Sequence, residues 1–183
     1  MRLLGEQDVD AYLAHLMRHE AESGTDGELP YGPYGRQGWP PQAELRERTL
    51  LRWQTPLDGL GWRRAWGLWH GAAVVGSVHL AGGELETCLH RAVLGVGLER
   101  AYRGAGQGRR LMEAAIAWAE DEPRLDWIDL GVFEGNDRAL ALYLQLGFVE
   151  RGRAVDQFRV DGVHITDIQM SLAVGARGTI RPD

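Results

Sequence analysis

The stretch from Val93 to Trp118, VLGVGLERAYRGAGQGRRLMEAAIAW, constrains this chain more than any other. It opens as an apolar run, Val93 to Leu98, that predicts a buried strand. It closes as an amphipathic helix, with Leu111, Met112, Ala115, Ile116 and Ala119 spaced for one face. Between them lies a turn, Arg103-Gly104-Ala105-Gly106-Gln107-Gly108, whose glycines strip side chains from the backbone where the helix begins. The first N–H groups of such a helix have no internal partner, and the helix dipole makes them mildly positive. Glycine lets a bulky anion come close to them. Arg103, Arg109 and Arg110 add charge on either side. The turn therefore predicts a pyrophosphate cradle; its plain alternative is an ordinary glycine-rich connection between strand and helix.

Two familiar phosphate-binding patterns are excluded. A P-loop needs a Lys after its second glycine, and all 20 basic residues of this chain are Arg. A dinucleotide fingerprint needs Gly-x-Gly-x-x-Gly. Counting from Gly104 or Gly95, the third position is Arg109 or Arg100. What remains is Arg/Gln-x-x-Gly-x-Gly/Ala after a strand and opening a helix, met by Arg103, Gly106 and Gly108. In that setting the turn resembles the GNAT superfamily of acyl-CoA-dependent N-acyltransferases.

The element pattern agrees. Met1 to Leu4 reads as a short strand, and Asp8 to Glu22 as a helix with Val9, Tyr12, Leu13, Leu16 and Met17 inward and Asp8 as cap. His15 and His19 share this helix, but HExxH fails at Ser23, so a solvated face is expected and no metal. Gly24 to Pro41 is irregular yet carries Tyr31, Tyr34 and Trp39. It is either a mobile loop over a substrate pocket or a surface loop pinned by its aromatics. Gln42 to Gln54 is a second helix. Trp62 to Trp69, Ala72 to Leu80 and His90 to Leu98 read as an antiparallel meander. After the cradle helix come a strand, Leu125 to Phe133, a helix, Asn136 to Leu146, and a hairpin, Phe148 to Leu172, turning on Asp161-Gly162. The order β-α-α-βββ-α-β-α-ββ is that of the GNAT fold: α/β, a mixed and mostly antiparallel sheet of six to seven strands with about four helices. One domain over 1–172 with a flexible tail over 173–183 is expected.

A second motif strengthens the resemblance. Asn136, Ala139 and Tyr143, followed by Gly147-Phe148, match the Asn-x-x-Ala-x-x-x-Tyr and Gly-Phe pattern common in that superfamily. Asn136 is the chain's only Asn. The plain reading of Tyr143 is a core tyrosine. His90-Arg91-Ala92-Val93-Leu94-Gly95-Val96 also resembles a stretch of bacterial members that acylate amino acids and related small amines.

The resemblance implies acetyl-CoA as co-substrate and an amine acceptor. The amides from Arg103 through Gly104, Ala105, Gly106, Gln107 and Gly108 to Arg109 would hold the coenzyme's pyrophosphate. Gly97, Leu98 and Glu99 would splay from Leu130 to Val132 and pair with its pantetheine arm, an N–H near Leu98 polarising the acyl carbonyl. Tyr143 would serve the leaving thiolate. Asn136, with Ala139 on the same helix face, would orient the arm or a water. For the base, His90, Glu134 and Glu99 stay open; an imidazole is the side chain that most commonly carries protons in such chemistry. Trp66, Trp69, Tyr31, Tyr34 and Trp39 would line an apolar acceptor pocket. Amino acids, other small amines and a protein N-terminus remain open as acceptors. A non-catalytic acyl-CoA-binding module is the alternative function.

Composition bounds the partners. A net charge of −6 argues against nucleic acid. No apolar run reaches the ~18 residues of a membrane span, and the N-terminus turns acidic too early for a signal peptide. A single cysteine, Cys88, excludes an internal disulfide and makes the cytoplasm the default. The family and the closing hairpin allow a homodimer.

Overall fold

Period-two apolar alternation produces strands here, and 3.6-residue spacing produces the helices that cover them. The computed structural model describes residues 1–33 and 40–175. In chain order the elements are β1 (Arg2–Leu3), α1 (Val9–Ala21), α2 (Gln42–Gln54), β2 (Arg63–His70), β3 (Ala73–Gly82), β4 (Arg91–Leu98), α3 (Gln107–Asp121), β5 (Trp127–Phe133), α4 (Asp137–Gln145), β6 (Val149–Val160) and β7 (Val163–Ala173). They form one sheet of order β1-β2-β3-β4-β5-β7-β6. Neighbours are antiparallel except β4 and β5, which are parallel because α3 crosses over between them. The α/β, mixed-sheet expectation holds. The closing hairpin turns on Asp161 and Gly162, both at positive φ (48° and 85°), as a tight two-residue turn requires.

The register sorts side chains onto two faces. Ala92 lies opposite Ile128, and both are fully buried against α3 with Leu111, Met112, Ala115 and Ala119. Burying a Leu of this kind contributes about 2 kcal/mol. On the other face Val9, Tyr12, Leu13 and Leu45 of α1 and α2 pack on Ala65 and Val74.

One seam in the sheet is incomplete. β4 and β5 pair only at Arg91–Trp127, Ala92–Ile128 and Val93–Asp129. Beyond that point β4 continues along β3 as far as Leu98–Gly76, and β5 along β7 as far as Phe133–Asp167. The C-terminal halves of β4 and β5 thus diverge. The seam is stapled at its closed end: Arg91 donates to both Asp129 oxygens at 2.7 and 2.5 Å, and Ser171 Oγ donates to Asp129 at 2.6 Å.

Several sequence expectations are corrected. Asp8 does not cap α1 with its side chain; its carboxylate takes the Gly5 N–H at 2.9 Å and the Arg2 guanidinium instead. On α1, Val9, Tyr12 and Leu13 are buried with Leu16 packed beside them, as expected, but His15 is buried too and Met17 is exposed. Trp66 packs edge-on to Trp118 in the α3 core (5.5 Å), and Trp69 sits under the Arg2 guanidinium beside Leu4 and Val74 (4.7 Å). Neither lines the open seam. β7 runs to Ala173, the first residue of the expected tail, and Val174 and Gly175 donate to the Asp126 carbonyl at 2.9 and 3.3 Å. The rest of the expected tail, 176–183, and the loop aromatics Tyr34 and Trp39 lie outside the described residues.

Candidate active site

The turn after β4 is open. Gly104 and Gly106 adopt left-handed φ of 93° and 74°, which disfavours any side-chain-bearing residue there. Gly106 is the N-cap of α3, and no side chain caps it. A Cβ at Gly104 or Gly106 would meet nothing within 4 Å, and one at Gly108 only Leu142 at 3.7 Å. The first-turn amides of Gln107, Gly108 and Arg109 therefore stand at an uncovered helix N-terminus, with Ala105 exposed beside them. Arg109 reaches Gln145 Oε1 at 2.5 Å and Glu113 at 3.6 Å, and Arg110 reaches Gln107 Oε1 at 3.2 Å. Arg103 is a correction. It donates to the Leu98 carbonyl at 2.9 Å and to Glu28 at 3.0 Å, and its guanidinium stacks on Tyr31 at 4.6 Å. Its charge is neutralised by the α1–α2 loop.

The unpaired strand edges face the seam. The Glu99 N–H donates to Val75 across β3 at 3.1 Å. By the alternation of an antiparallel ladder, the amides of Gly97 and Glu99 serve β3, and those of Val96 and Leu98 turn toward the gap. The Glu134 N–H donates to Thr166 of β7 at 2.9 Å, so the amides of Gly131 and Phe133 turn toward the gap from the other side.

On the α3–α4 face, Tyr143 is 8% exposed and 6.1 Å from Phe148 between ring centroids. Burial pushes its hydroxyl up to about 12, so it remains a proton donor across the neutral range. Asn136 caps α4: its Oδ1 accepts the Ala139 N–H at 3.2 Å. That bond accounts locally for an Asn at this position.

The opposite, α1 face carries groups that sequence reasoning missed. The buried His15 donates from Nδ1 to Glu99 Oε1 at 2.9 Å, and Arg18 donates to the same oxygen at 3.0 Å. Burial pushes Glu99 upward, but Arg18 and His15 outweigh it and hold its carboxyl below the ordinary range. Burial lowers His15, against the pull of Glu99. Four residues on, His19 stacks on Tyr31 at 4.8 Å. Burial, then the neighbouring His15 and Arg103, bring His19 down to about 4. Arg100 joins this cluster by bonding Asp26, Thr25 and Glu28. The i, i+4 spacing of His15 and His19 was visible in the sequence; the bond from His15 to Glu99, 84 positions on, was not.

The three candidate bases are not brought together. Glu99 stands on the α1 face at the end of β4. His90 is exposed and precedes β4, about 26 Å from Leu98 along an extended strand. Glu134 is exposed at the end of β5 and pairs with Arg153 at 2.7 Å. Among the described residues no cluster of three or more His, Cys, Asp or Glu could hold a metal, and no helix is long and apolar enough to cross a membrane.

A sequence profile of the Acetyltransferase (GNAT) family matches residues 32–148. No curated protein matches the chain. Solved structures with the same fold include a GNAT-family acetyltransferase from Streptococcus pneumoniae (TM-score 0.80, 21% identity, 94% of this chain and 100% of that one). A ribosomal-protein-alanine N-acetyltransferase from Brucella melitensis follows (0.76, 20%, 94% and 99%). So do mutant forms of the spermidine/spermine N-acetyltransferase SpeG from Vibrio cholerae (0.70, 19%, 94% and 91%). The profile match spans most of the chain and includes the open seam, the glycine turn and Tyr143, so this protein belongs to the GNAT family and is an acyl-CoA N-acetyltransferase.

Proposed function

We propose that this enzyme transfers an acetyl group from acetyl-CoA to a primary amine, carried by an amino acid, a related small amine or a protein N-terminus. The observation that carries this reading is the seam between β4 and β5, which opens beyond Val93 and Asp129 toward a glycine turn that no side chain covers. Bound acetyl-CoA supplies the acyl group as an activated thioester. The α3 amides from Gln107 to Arg109 bind the diphosphate. The gap-facing amides of Val96 and Leu98 bind the pantetheine arm, and the Leu98 N–H polarises the acyl carbonyl. Tyr143, held protonated by burial, donates to the departing thiolate. His90 and Glu134 take no part in this arrangement; Glu99, fixed by His15 and Arg18, borders the acceptor side.

The test is direct titration of CoA together with thiol release from acetyl-CoA across a panel of amines. Saturable CoA binding with amine-dependent release is expected. CoA binding that survives full obstruction of the glycine turn would overturn the placement.

A further inference from the structure

Three glycines on the α1 face of the seam are each overlain by a titratable side chain. A Cβ at Gly95 would come within 2.5 Å of His79 Cε1, and one at Gly97 within 3.0 Å of His19 Cε1. One at Gly131 would come within 2.5 Å of Asp167 Oδ1. Gly97 and Gly131 lie on the diverging parts of β4 and β5, so His19 and Asp167 stand on opposite walls of the gap. The register puts both on one face, since Gly131, Phe133 and Asp167 share the face that carries Gly97 and Glu99.

Asp167 is unlike the other charged groups there. It is 8% exposed, and among the described residues it has neither a hydrogen bond nor an ion pair. Burial alone acts on its carboxyl and raises it above the usual aspartate range. Gly131, beneath it, is open to solvent. β6 bulges beside it, with Val155, Asp156 and Gln157 inserted between the Ala154–Asp167 and Phe158–Ile165 pairs. The carboxylate keeps a narrow contact with solvent over Gly131, and a largely buried carboxylate without a side-chain partner is costly, a cost that a cationic ligand would relieve.

The surrounding charges are already balanced. Glu99 is matched by Arg18, Glu22 and Glu28 by Arg103, and Asp26 by Arg100. His15, His19 and His79 are all lowered, chiefly by burial. His19, at about 4, carries no charge at neutral pH. Among the described residues beside the gap, Asp167 is an acid with no cationic partner.

We propose that Asp167 is the acceptor anchor: its carboxylate, over Gly131, binds the ammonium group of a cationic primary amine that enters from the α1 face, and the nitrogen gives up one proton to the solvent that reaches Gly131 before it attacks the thioester carbonyl. This rests on the coenzyme placement proposed above. The neutral His19 leaves the opposite wall free of repulsion, and the absence of side chains at Gly97 and Gly131 brings the nitrogen close to the strands. Phe133 and Phe158, 5.7 Å apart between centroids, and Leu29, whose Cδ1 lies 3.2 Å from the Cβ position of Gly135, offer apolar surface to the rest of the acceptor.

The experiment compares n-butylamine, cationic at pH 7, with aniline, neutral at pH 7, in wild type, Asp167→Asn and Gly131→Ala, whose added methyl displaces the carboxylate. Thiol release is expected to show the butylamine KM raised about 10-fold or more in both variants, the size of a lost charged hydrogen bond. In Asp167→Asn the aniline KM and CoA affinity should stay within about twofold, and this variant should melt no lower than wild type. An unchanged butylamine KM, an equal rise for aniline, or a lower melting temperature would each overturn the assignment. Failure of the coenzyme placement reads out separately, as CoA affinity indifferent to the glycine turn. Calorimetric titration of n-butylamine into wild type and Asp167→Asn without coenzyme then still decides: weaker binding to the variant supports the anchor, equal binding rejects it.

Discussion

Arg103 pairs with Glu28 at 3.0 Å while its Nε donates to the Leu98 carbonyl at 2.9 Å, so a residue of the phosphate-binding pattern tethers the α1–α2 loop. Arg103→Gln should therefore act on the loop before it acts on the coenzyme. Amide exchange over residues 22–31 is expected to quicken at least several-fold, with CoA affinity changing less than about threefold. Exchange mass spectrometry and CoA titration check the two halves.

At the turn itself charge should decide. Gly108 has room for a side chain. An acidic residue in a first turn favours the helix by about 0.3–1 kcal/mol, yet it would occupy and repel the anion site. Gly108→Asp is expected to hold or raise the melting temperature while weakening CoA binding by roughly 10- to 100-fold, read by thermal shift and calorimetry.

Tyr143→Phe removes a hydroxyl and leaves the buried ring. If the hydroxyl serves the thiolate, kcat should fall about 100-fold, in the range of a lost general acid, with CoA affinity and melting temperature nearly unchanged. Steady-state kinetics beside CoA titration separate chemistry from binding.

Stability should depend on pH through His19. Its folded value, about 4, lies below the ordinary 6.5. Between those values the unfolded chain binds the proton and the folded one does not, so stability falls as the pH drops from 6.5 to 4. The shift corresponds to a loss of roughly 3 kcal/mol at the lower end. Urea unfolding at pH 7 and pH 4.5 should show this decline, and His19→Gln should lessen it, the lowered His15 and His79 sustaining the remainder. Asp167 works in the opposite sense: its raised carboxyl disfavours the fold when ionised, so its contribution improves as the pH falls through its folded value.

Asp129→Asn should open the closed end of the seam. The Arg91 and Ser171 bonds to Asp129 are partly buried, and their loss should cost about 1–2 kcal/mol. Chemical denaturation measures that loss, with faster exchange expected at the Ala92 and Ile128 amides.

Much of this was legible in the chain. Alternation and glycine placement gave β3, β4 and the start of α3 within a residue or two, and Asp161-Gly162 gave the hairpin register. The glycine turn and the Asn136–Tyr143 helix were visible because each depends on local spacing. What stayed hidden depends on residues far apart. His15 and His19 looked solvated because Glu99 and Gly97, which receive them, lie on another element. Arg103 looked free because Glu28 sits on a loop without periodicity. Asp167 gave no signal, since nothing in a strand sequence marks a carboxylate folded over a glycine of the neighbouring strand.

The three-pair contact between β4 and β5 also has a mechanical side. Away from it, α3 touches α4 through Gly108–Leu142 and Arg109–Gln145. Beneath the wedge the two halves share one apolar core, and any occupant of the wedge must brace the diverging strand ends apart or draw them together. Loading the wedge should quiet slow rocking of β6 and β7 against β2 and β3, a change that relaxation dispersion at strand amides would register far from the occupant.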